Sequence, residues 1–334
     1  MTSLYVIEQG AKIKKARRRL VVVKDEQELQ SIPLIKVDQV LIFGNVGLTT
    51  PALTWLMSQG IDVVFCDQHG RFKGRVVGET SGHSELRRFQ YRQVESPDFA
   101  LSTARGIVQA KLKNSRTMLM RYRRRQQKPE LLPAVERLDG LIDRADRTNT
   151  INALMGVEGV GAAVYFQAFR QLFKSDEWVF PGRVRRPPTD PINVLLSFGY
   201  TLLTHQLEAA VERVGLDPYL GCLHADAYNR PSLALDLVEE FRAIVVDSVV
   251  LRCLNNDLIT PANFSRQPDP NRPVLLDDPG RRRFIQEFEA RLAITFTHPA
   301  RQEKATYHRC FDLQAREMAR AFRTGDPYRP FLVR

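Results

Sequence analysis

The sequence predicts an α+β protein, with a small N-terminal β-domain followed by a larger, mainly α-helical C-terminal domain. Three observations predict it. β-Branched and apolar residues cluster in short runs with turn punctuation through residues 1–80, and from Glu85 onward apolar residues recur every three or four positions. Between the two, Gly78-Glu79-Thr80-Ser81-Gly82 has the composition of a linker. The domains are placed at 1–80 and 81–334, with a linker at about 78–84, and a chain of 334 residues is long enough to bury two cores without disulfide staples.

Along the chain, Arg19–Lys24 and Asp38–Phe43 read as strands, and Asp67-Gln68-His69-Gly70 separates Ile61–Cys66 from Arg71–Val77 as a hairpin turn. One helix interrupts the strands. Thr50 is its expected N-cap, Pro51 takes the first helical position, where a missing N–H costs nothing, and Gly60 closes it. Beyond the linker, Val108, Leu112, Leu119 and Tyr122, and again Val238, Phe241, Val245 and Val249, keep helical spacing. The segment from Asn263 to Gly280, rich in Pro and Asp, reads as a long surface loop between helices.

Lys plus Arg number 49 against 38 Asp plus Glu, a net charge of +11, which favours a polyanionic partner over a small acidic metabolite. Residues 1–8 meet an acid, and then a basic run follows, before any apolar segment reaches signal-peptide length. No window reaches the 18 or so apolar residues of a membrane span. Cys66, Cys222, Cys253 and Cys310 lie far apart with no C-x-x-C pair, which points away from a disulfide framework or a cysteine zinc site and toward a reducing cytoplasm. No Walker loop occurs, and Gly156, Gly159 and Gly161 are spaced in the reverse of the dinucleotide fingerprint.

Arg105–Lys128 holds Arg105, Lys111, Lys113, Arg116, Arg121, Arg123, Arg124, Arg125 and Lys128 with no acid at all. A merely solvated helix mixes signs, whereas an uncompensated basic face repels itself unless phosphates neutralise it. A basic surface helix with no partner is the other reading. The run Lys12, Lys14, Lys15, Arg17, Arg18 and Arg19 fits either a phosphate contact or a charged edge strand that resists aggregation. Arg183, Arg185 and Arg186 precede Pro187 and Pro188 and so belong to an extended loop.

Three polar residues stand in apolar surroundings: Glu158, His224 and Glu239. Two carboxylates and an imidazole suit a hard divalent ion, Mg2+ or Mn2+, with positions left open for phosphate oxygens. Other readings stand beside this one. Glu158 fits a first-turn carboxylate before a helix running to about Phe173, and Asp236, Glu239 and Glu240 fit the same role after an N-cap at Ser232. His224 alone is equally a satisfied structural histidine. Asp236, three residues before Glu239 on the same helical face, is an auxiliary or supporting ligand, and Asp190 before Pro191 suits a helix cap.

The motifs in order resemble the integrase subunit of the CRISPR spacer-acquisition machinery, the CRISPR-associated adaptation endonuclease family. Leu154–Phe166 looks like its E-G-x-x-A-x-x-Y-F region, and Arg185–Leu203 like its R-x-P-P-x-D-x-x-N-x-L-L signature. Gly221–His224 followed by Asp236–Arg242 resembles G-x-L-H and D-L-x-E-x-F-R, and Tyr328–Phe331 resembles a C-terminal Y-x-P-F. Ser115 and Val164 depart from the family pattern, in which Gln and a basic residue are common. The resemblance implies a β-domain homodimer, a small ferredoxin-like adaptation partner and double-stranded DNA as substrate. It also implies a metal-dependent endonuclease and integrase that inserts spacer DNA into a CRISPR repeat by 3′-hydroxyl attack. Glu158, His224 and Glu239 would hold Mg2+ or Mn2+, with Asp236 auxiliary. Lys111, Arg116, Arg121, Arg123, Arg124, Arg125, Arg183, Arg185 and Arg186 would contact DNA. The alternatives are a catalytically inactive DNA-binding scaffold of the adaptation complex and a general metal-dependent nuclease.

Overall fold

The computed structural model describes residues 2–76, 78, 83–224 and 227–333. The first part of the chain forms β1 (Thr2–Val6), β2 (Lys12–Ala16), β3 (Arg19–Lys24), β4 (Gln27–Pro33), β5 (Val37–Phe43), β6 (Gly47–Leu48), helix α1 (Thr50–Ser58), β7 (Asp62–Cys66) and β8 (Phe72–Val76). Two four-stranded sheets result, ordered β1-β5-β7-β8 and β4-β3-β2-β6. In the first, β1, β5 and β7 are parallel and β8 returns antiparallel across the turn at Asp67–Gly70, as the sequence predicts.

The alternation of side chains along these strands divides them between two cores. Leu4, Val6, Val40, Ile42 and Val63 pack with the second sheet and α1, whereas Ile7, Leu41, Phe43, Val64 and Cys66 pack with the helical part of the chain. A strand buried on both faces reads as the continuous apolar run seen in β5. Gly70, at φ +89°, sits where a Cβ would lie 2.7 Å from the Phe198 ring, so the turn docks directly on the helices.

After β8 the chain becomes helical: α2 (Ser84–Glu95), α3 (Pro97–Gln126), α4 (Leu132–Asp146), α5 (Ile151–Phe169), α6 (Pro191–Val214), α7 (Ser232–Phe241), a π-helical turn over 242–247 and α8 (Ser248–Asn255). Then come β9 (Phe264–Arg266), β10 (Val274–Leu276), α9 (Asp278–Leu292), β11 (Thr295–Thr297), β12 (Lys304–Thr306) and α10 (Tyr307–Thr324). The α+β class is therefore as expected. Of the linker segment, residues 77 and 79–82 lie outside the described residues. Among the described residues no helix is long and apolar enough to cross a membrane.

Several local expectations change. Thr49, in an extended conformation, is the N-cap of α1, and Thr50 is already helical. The expected loop Asn263–Gly280 contains the antiparallel pair β9 and β10, and its end is the start of α9, where Asp277 accepts the Gly280 N–H at 2.7 Å. Proline and aspartate there mark a hairpin turn and a cap. Glu158 is not in a first turn: Thr150 caps α5 by accepting from Ala153 N, and Glu158 lies two turns further on. Leu154, Val157, Val164 and Tyr165 bury one stripe of α5, and that burial carries the helix through its glycines. Glu239 falls in the last turn of α7, and Pro231 rather than Ser232 is that helix's N-cap.

Candidate metal and DNA site

Lys111, Glu158, His224 and Glu239 come from four different segments, and small residues let those segments meet. Gly161 on α5 lies against Leu112 of α3, where any Cβ would collide, so α3 and α5 approach closely and bring Lys111 beside Glu158. At Gly221 a Cβ would lie 2.6 Å from Asp236 Oδ2. The 221–224 turn can therefore fold over the Asp236 carboxylate, which accepts the N–H groups of Cys222 at 2.7 Å, Leu223 at 3.0 Å and His224 at 3.0 Å.

Asp236 Oδ1 also lies 2.7 Å from His224 Nδ1. Nδ1 faces this carboxylate, which leaves Nε2 on the side of Glu239 Oε1, 3.9 Å away. Asp236 is wholly buried and spends both oxygens on this turn, so in this arrangement it orients His224.

The Lys111 ammonium bridges the two glutamates, touching Glu158 Oε1 and lying 2.6 Å from Glu239 Oε2. Arg242, on the π-helical turn, places Nη2 3.2 Å from Glu239 Oε1 and stacks its guanidinium 4.7 Å from the Tyr200 ring centre. Burial alone would raise the Glu239 carboxyl, but Arg242, Lys111 and His224 hold it well below the usual carboxylate range. Its neighbour Glu240 points the other way, accepting from Tyr328 Oη and Phe331 N at 2.6 Å each, and burial pushes it up to about 8. Adjacent acids on one helix thus serve opposite faces.

Among the described residues no three His, Cys, Asp or Glu side chains close on a common point, because Lys111 stands between the two glutamates. The donor set still fits a divalent ion. Glu239 Oε2 is a buried anionic oxygen that, among the described residues, is compensated by the Lys111 ammonium 2.6 Å away, the place a cation would take. Beside it a small cleft is lined by Lys111, Arg185, Arg242, Tyr165, Tyr200 and Asp247 among others. Asp247 accepts from Tyr200 at 2.6 Å and Tyr165 at 2.8 Å, and burial pushes it up to about 6, so both tyrosines are structural walls of the cleft.

The basic residues separate into different roles. Lys111 is buried in the acidic cluster and is no exposed phosphate contact. Arg116 pairs with Asp139 of α4 at 2.5 Å, so the face that lacks acids in sequence gains one from the next helix. Arg183 donates to Val184 O, Asn193 Oδ1 and Ser197 Oγ, which makes it a brace of its loop. Arg121, Arg124 and Arg125 are exposed at the end of α3, Arg123 is half-buried there, and Arg185 and Arg186 are exposed in the loop before α6. Arg242 was the residue sequence reasoning left without a role, although its place three residues after Glu239 on one helical face is a readable signal.

Residues 4–290 match the family model described as CRISPR associated protein Cas1. The chain is 36% identical over 345 residues to CRISPR-associated endonuclease Cas1 2 of Rhodospirillum rubrum, covering 99% of this chain and 98% of that one. It is 36% identical over 331 residues to CRISPR-associated endonuclease Cas1 1 of Thermus thermophilus, covering 99% of each. A Cas4/Cas1 fusion of Geobacter sulfurreducens is 35% identical over 337 residues, and there the chain covers 60% of the relative's length. Among solved structures, a casposase bound to integration product aligns with a TM-score of 0.85 at 25% identity, covering 98% of this chain and 92% of that one. A Cas6-RT-Cas1–Cas2 complex aligns with a TM-score of 0.84 at 25% identity, covering all of this chain and 36% of that one. A Cas1 protein from Thermotoga maritima shares the fold, with a TM-score of 0.81 at 23% identity over 97% of each chain. With residues 4–290 of its 334 matching the family model and full-length relatives above 30% identity, this chain belongs to the CRISPR-associated protein Cas1 family.

Proposed function

We propose that this chain is a divalent-metal-dependent DNA endonuclease and integrase of CRISPR adaptation, joining the 3′-hydroxyl of a spacer strand to a phosphodiester of the repeat. The observation that carries the reading is that Lys111 joins Glu158 to Glu239 Oε2 while His224 Nε2 lies 3.9 Å from the other Glu239 oxygen. A casposase bound to integration product shares the fold over 98% of this chain, which supports integration rather than cutting alone.

In the exchange, the attacking hydroxyl gives up its proton as its oxygen forms a new P–O bond, the repeat strand's P–O3′ bond breaks, and the released 3′ oxygen takes up a proton, with no net change in protons. One phosphodiester replaces another, so no nucleotide triphosphate is consumed. Mg2+ or Mn2+ held by Glu158, Glu239 and His224 would supply Lewis-acid stabilisation of charge developing on the phosphate. Asp236 fixes the His224 tautomer and ring plane, Arg242 keeps Glu239 ionised, and the exposed arginines at 124, 125, 185 and 186 hold phosphates without reading sequence.

The same reading includes a homodimer through the β-rich part, assembly with a small ferredoxin-like adaptation partner, and a prokaryotic cytoplasmic location. A related chain in a complex with Cas2 supports the partner, and four buried, unpaired cysteines fit a reducing compartment. The test uses purified protein on branched DNA that mimics a half-integrated spacer, with and without Mn2+. Wild type should reseal the target strand in a metal-dependent way and His224→Ala should not. Binding without resealing would move the inactive scaffold ahead, and efficient cutting of linear duplex with no preference for the branch would favour a general nuclease.

A further inference from the structure

We infer that the substrate strand lies along the exposed face of α5 on both sides of Glu158, with its sugar–phosphate backbone in van der Waals contact with the helix backbone at Gly156 and Gly159. The inference rests on the proposed integrase function and names the element over which the strand passes.

A glycine inside a helix is the least favourable residue there after proline, so each one needs a reason. Gly161 has one inside the protein, since its missing side chain makes room for Leu112. Among the described residues Gly156 and Gly159 have none: a Cβ at either position would meet nothing within 4 Å. Both are exposed and they flank Glu158, the only charged residue of α5. Packing among the described residues does not ask for a bare backbone at these two points; a molecule approaching from outside does.

The chemistry of the face agrees. In a chain of net charge +11, the exposed side of this 19-residue helix carries no lysine or arginine, and instead presents Met155 and Val160, each 41% exposed. A solvated helix face is ordinarily charged, whereas a smooth, partly apolar one suits deoxyribose and base edges, with phosphates held from neighbouring elements. The face lies beside the proposed metal cluster. Glu239 is 4% exposed, and its Oε2 is paired with Lys111 at 2.6 Å, which in turn touches Glu158 of this helix. Gly140 on α4 supplies the contrast: it too has open space around its Cβ position, yet it sits among Arg137, Asp139, Asp143 and Arg144, the composition of an ordinary solvated face.

The test combines substitution with thiol protection in the full chain. All four native cysteines are buried, so a maleimide reports on an introduced thiol. Met155→Cys should label readily in the free protein and lose that labelling when saturated with the branched DNA, while Gly140→Cys labels equally in both states. Gly159→Ala and Gly156→Ala should melt no lower than wild type, because alanine favours the helix, yet reseal the branch about 100-fold more slowly. Gly140→Ala should reseal normally. Equal labelling of Met155→Cys with and without DNA, or alanine variants that reseal like wild type, overturns the strand path and leaves the integrase reading standing. Protection of Met155→Cys in a protein that never reseals keeps the path and overturns the integrase reading instead.

Discussion

Asp236 and His224 form one unit: the carboxylate lies 2.7 Å from the imidazole Nδ1 and also binds the backbone N–H of His224 itself at 3.0 Å. The ring is thereby held at two points by one buried anion, which sets both its tautomer and its plane. Replacing Asp236 with Asn keeps the shape but brings an amide N–H₂ against backbone donors. Asp236→Asn should lose about 1–3 kcal/mol of stability and lower divalent affinity by about 10- to 100-fold. Denaturant unfolding and a Mn2+ titration measure the two effects, and unchanged affinity would remove Asp236 from the positioning role.

Lys111 is the internal counter-ion of Glu158 and Glu239. Lys111→Met leaves two neighbouring carboxylates without it, and breaking a buried ion pair in this way costs about 3–5 kcal/mol. The metal-free variant should therefore melt well below wild type, and Mn2+ should raise its melting temperature more than it raises that of wild type. A metal-free variant that melts like wild type contradicts the counter-ion role.

The end of α3 and the loop before α6 make opposite predictions about arginine. Arg123, Arg124 and Arg125 replaced together by Ala should weaken DNA binding and flatten the log–log salt dependence by up to about 3, at roughly 0.7–0.9 for each phosphate no longer neutralised. Arg183→Ala should act on the fold, because its guanidinium ties Val184 O, Asn193 and Ser197 together. Salt titrations of binding and thermal melts of both proteins separate the cases; an unchanged slope in the triple variant defeats the DNA assignment.

Glu240 anchors the C-terminal segment by accepting from Tyr328 and Phe331, and burial raises it from the ordinary 4.5 to about 8. Between those values the folded chain binds a proton that the unfolded chain has released, so this contribution is full below about pH 4.5 and is lost as pH rises through about 8. Asp247, raised from 3.8 to about 6, adds a slope of the same sign in its own lower window. Glu239, which is lowered, contributes the opposite slope, lost as pH falls into the acid range. Subtracting the stability profile of Glu240→Gln from that of wild type should leave a decline between pH 5 and 8 for Glu240 alone, on the order of a few kcal/mol. A flat difference would show that the carboxyl is not held protonated.

Local features were legible where local physics decides them. The turn at Asp67–Gly70 needs a left-handed glycine and an Asp that binds its own backbone, and both are present, with Asp67 Oδ1 accepting from His69 N and Arg71 N. Asp190 caps α6 as its place before Pro191 implies, accepting from Asn193 N at 2.9 Å. The position of Glu158 within its helix was not legible, because the helix starts well before it, capped by Thr150, and packing against α3 helps keep α5 continuous through its glycines. The hairpin inside residues 263–280 was hidden for a related reason: two three-residue strands carry too little pattern to stand out among prolines.

By itself the sequence determined the α+β class, the order of strands before helices and the strong positive charge, since composition and short-range spacing carry all of these. Only the tertiary structure decided which charges meet. Lys111 has no acid near it in its own basic run, and its carboxylate partner Glu158 lies 47 residues away. Electrostatic roles depend on distance and burial in space. A lysine that reads as a phosphate contact along the chain therefore becomes, once α3 packs on α5 and α7, the cation between the half-buried Glu158 and the buried Glu239.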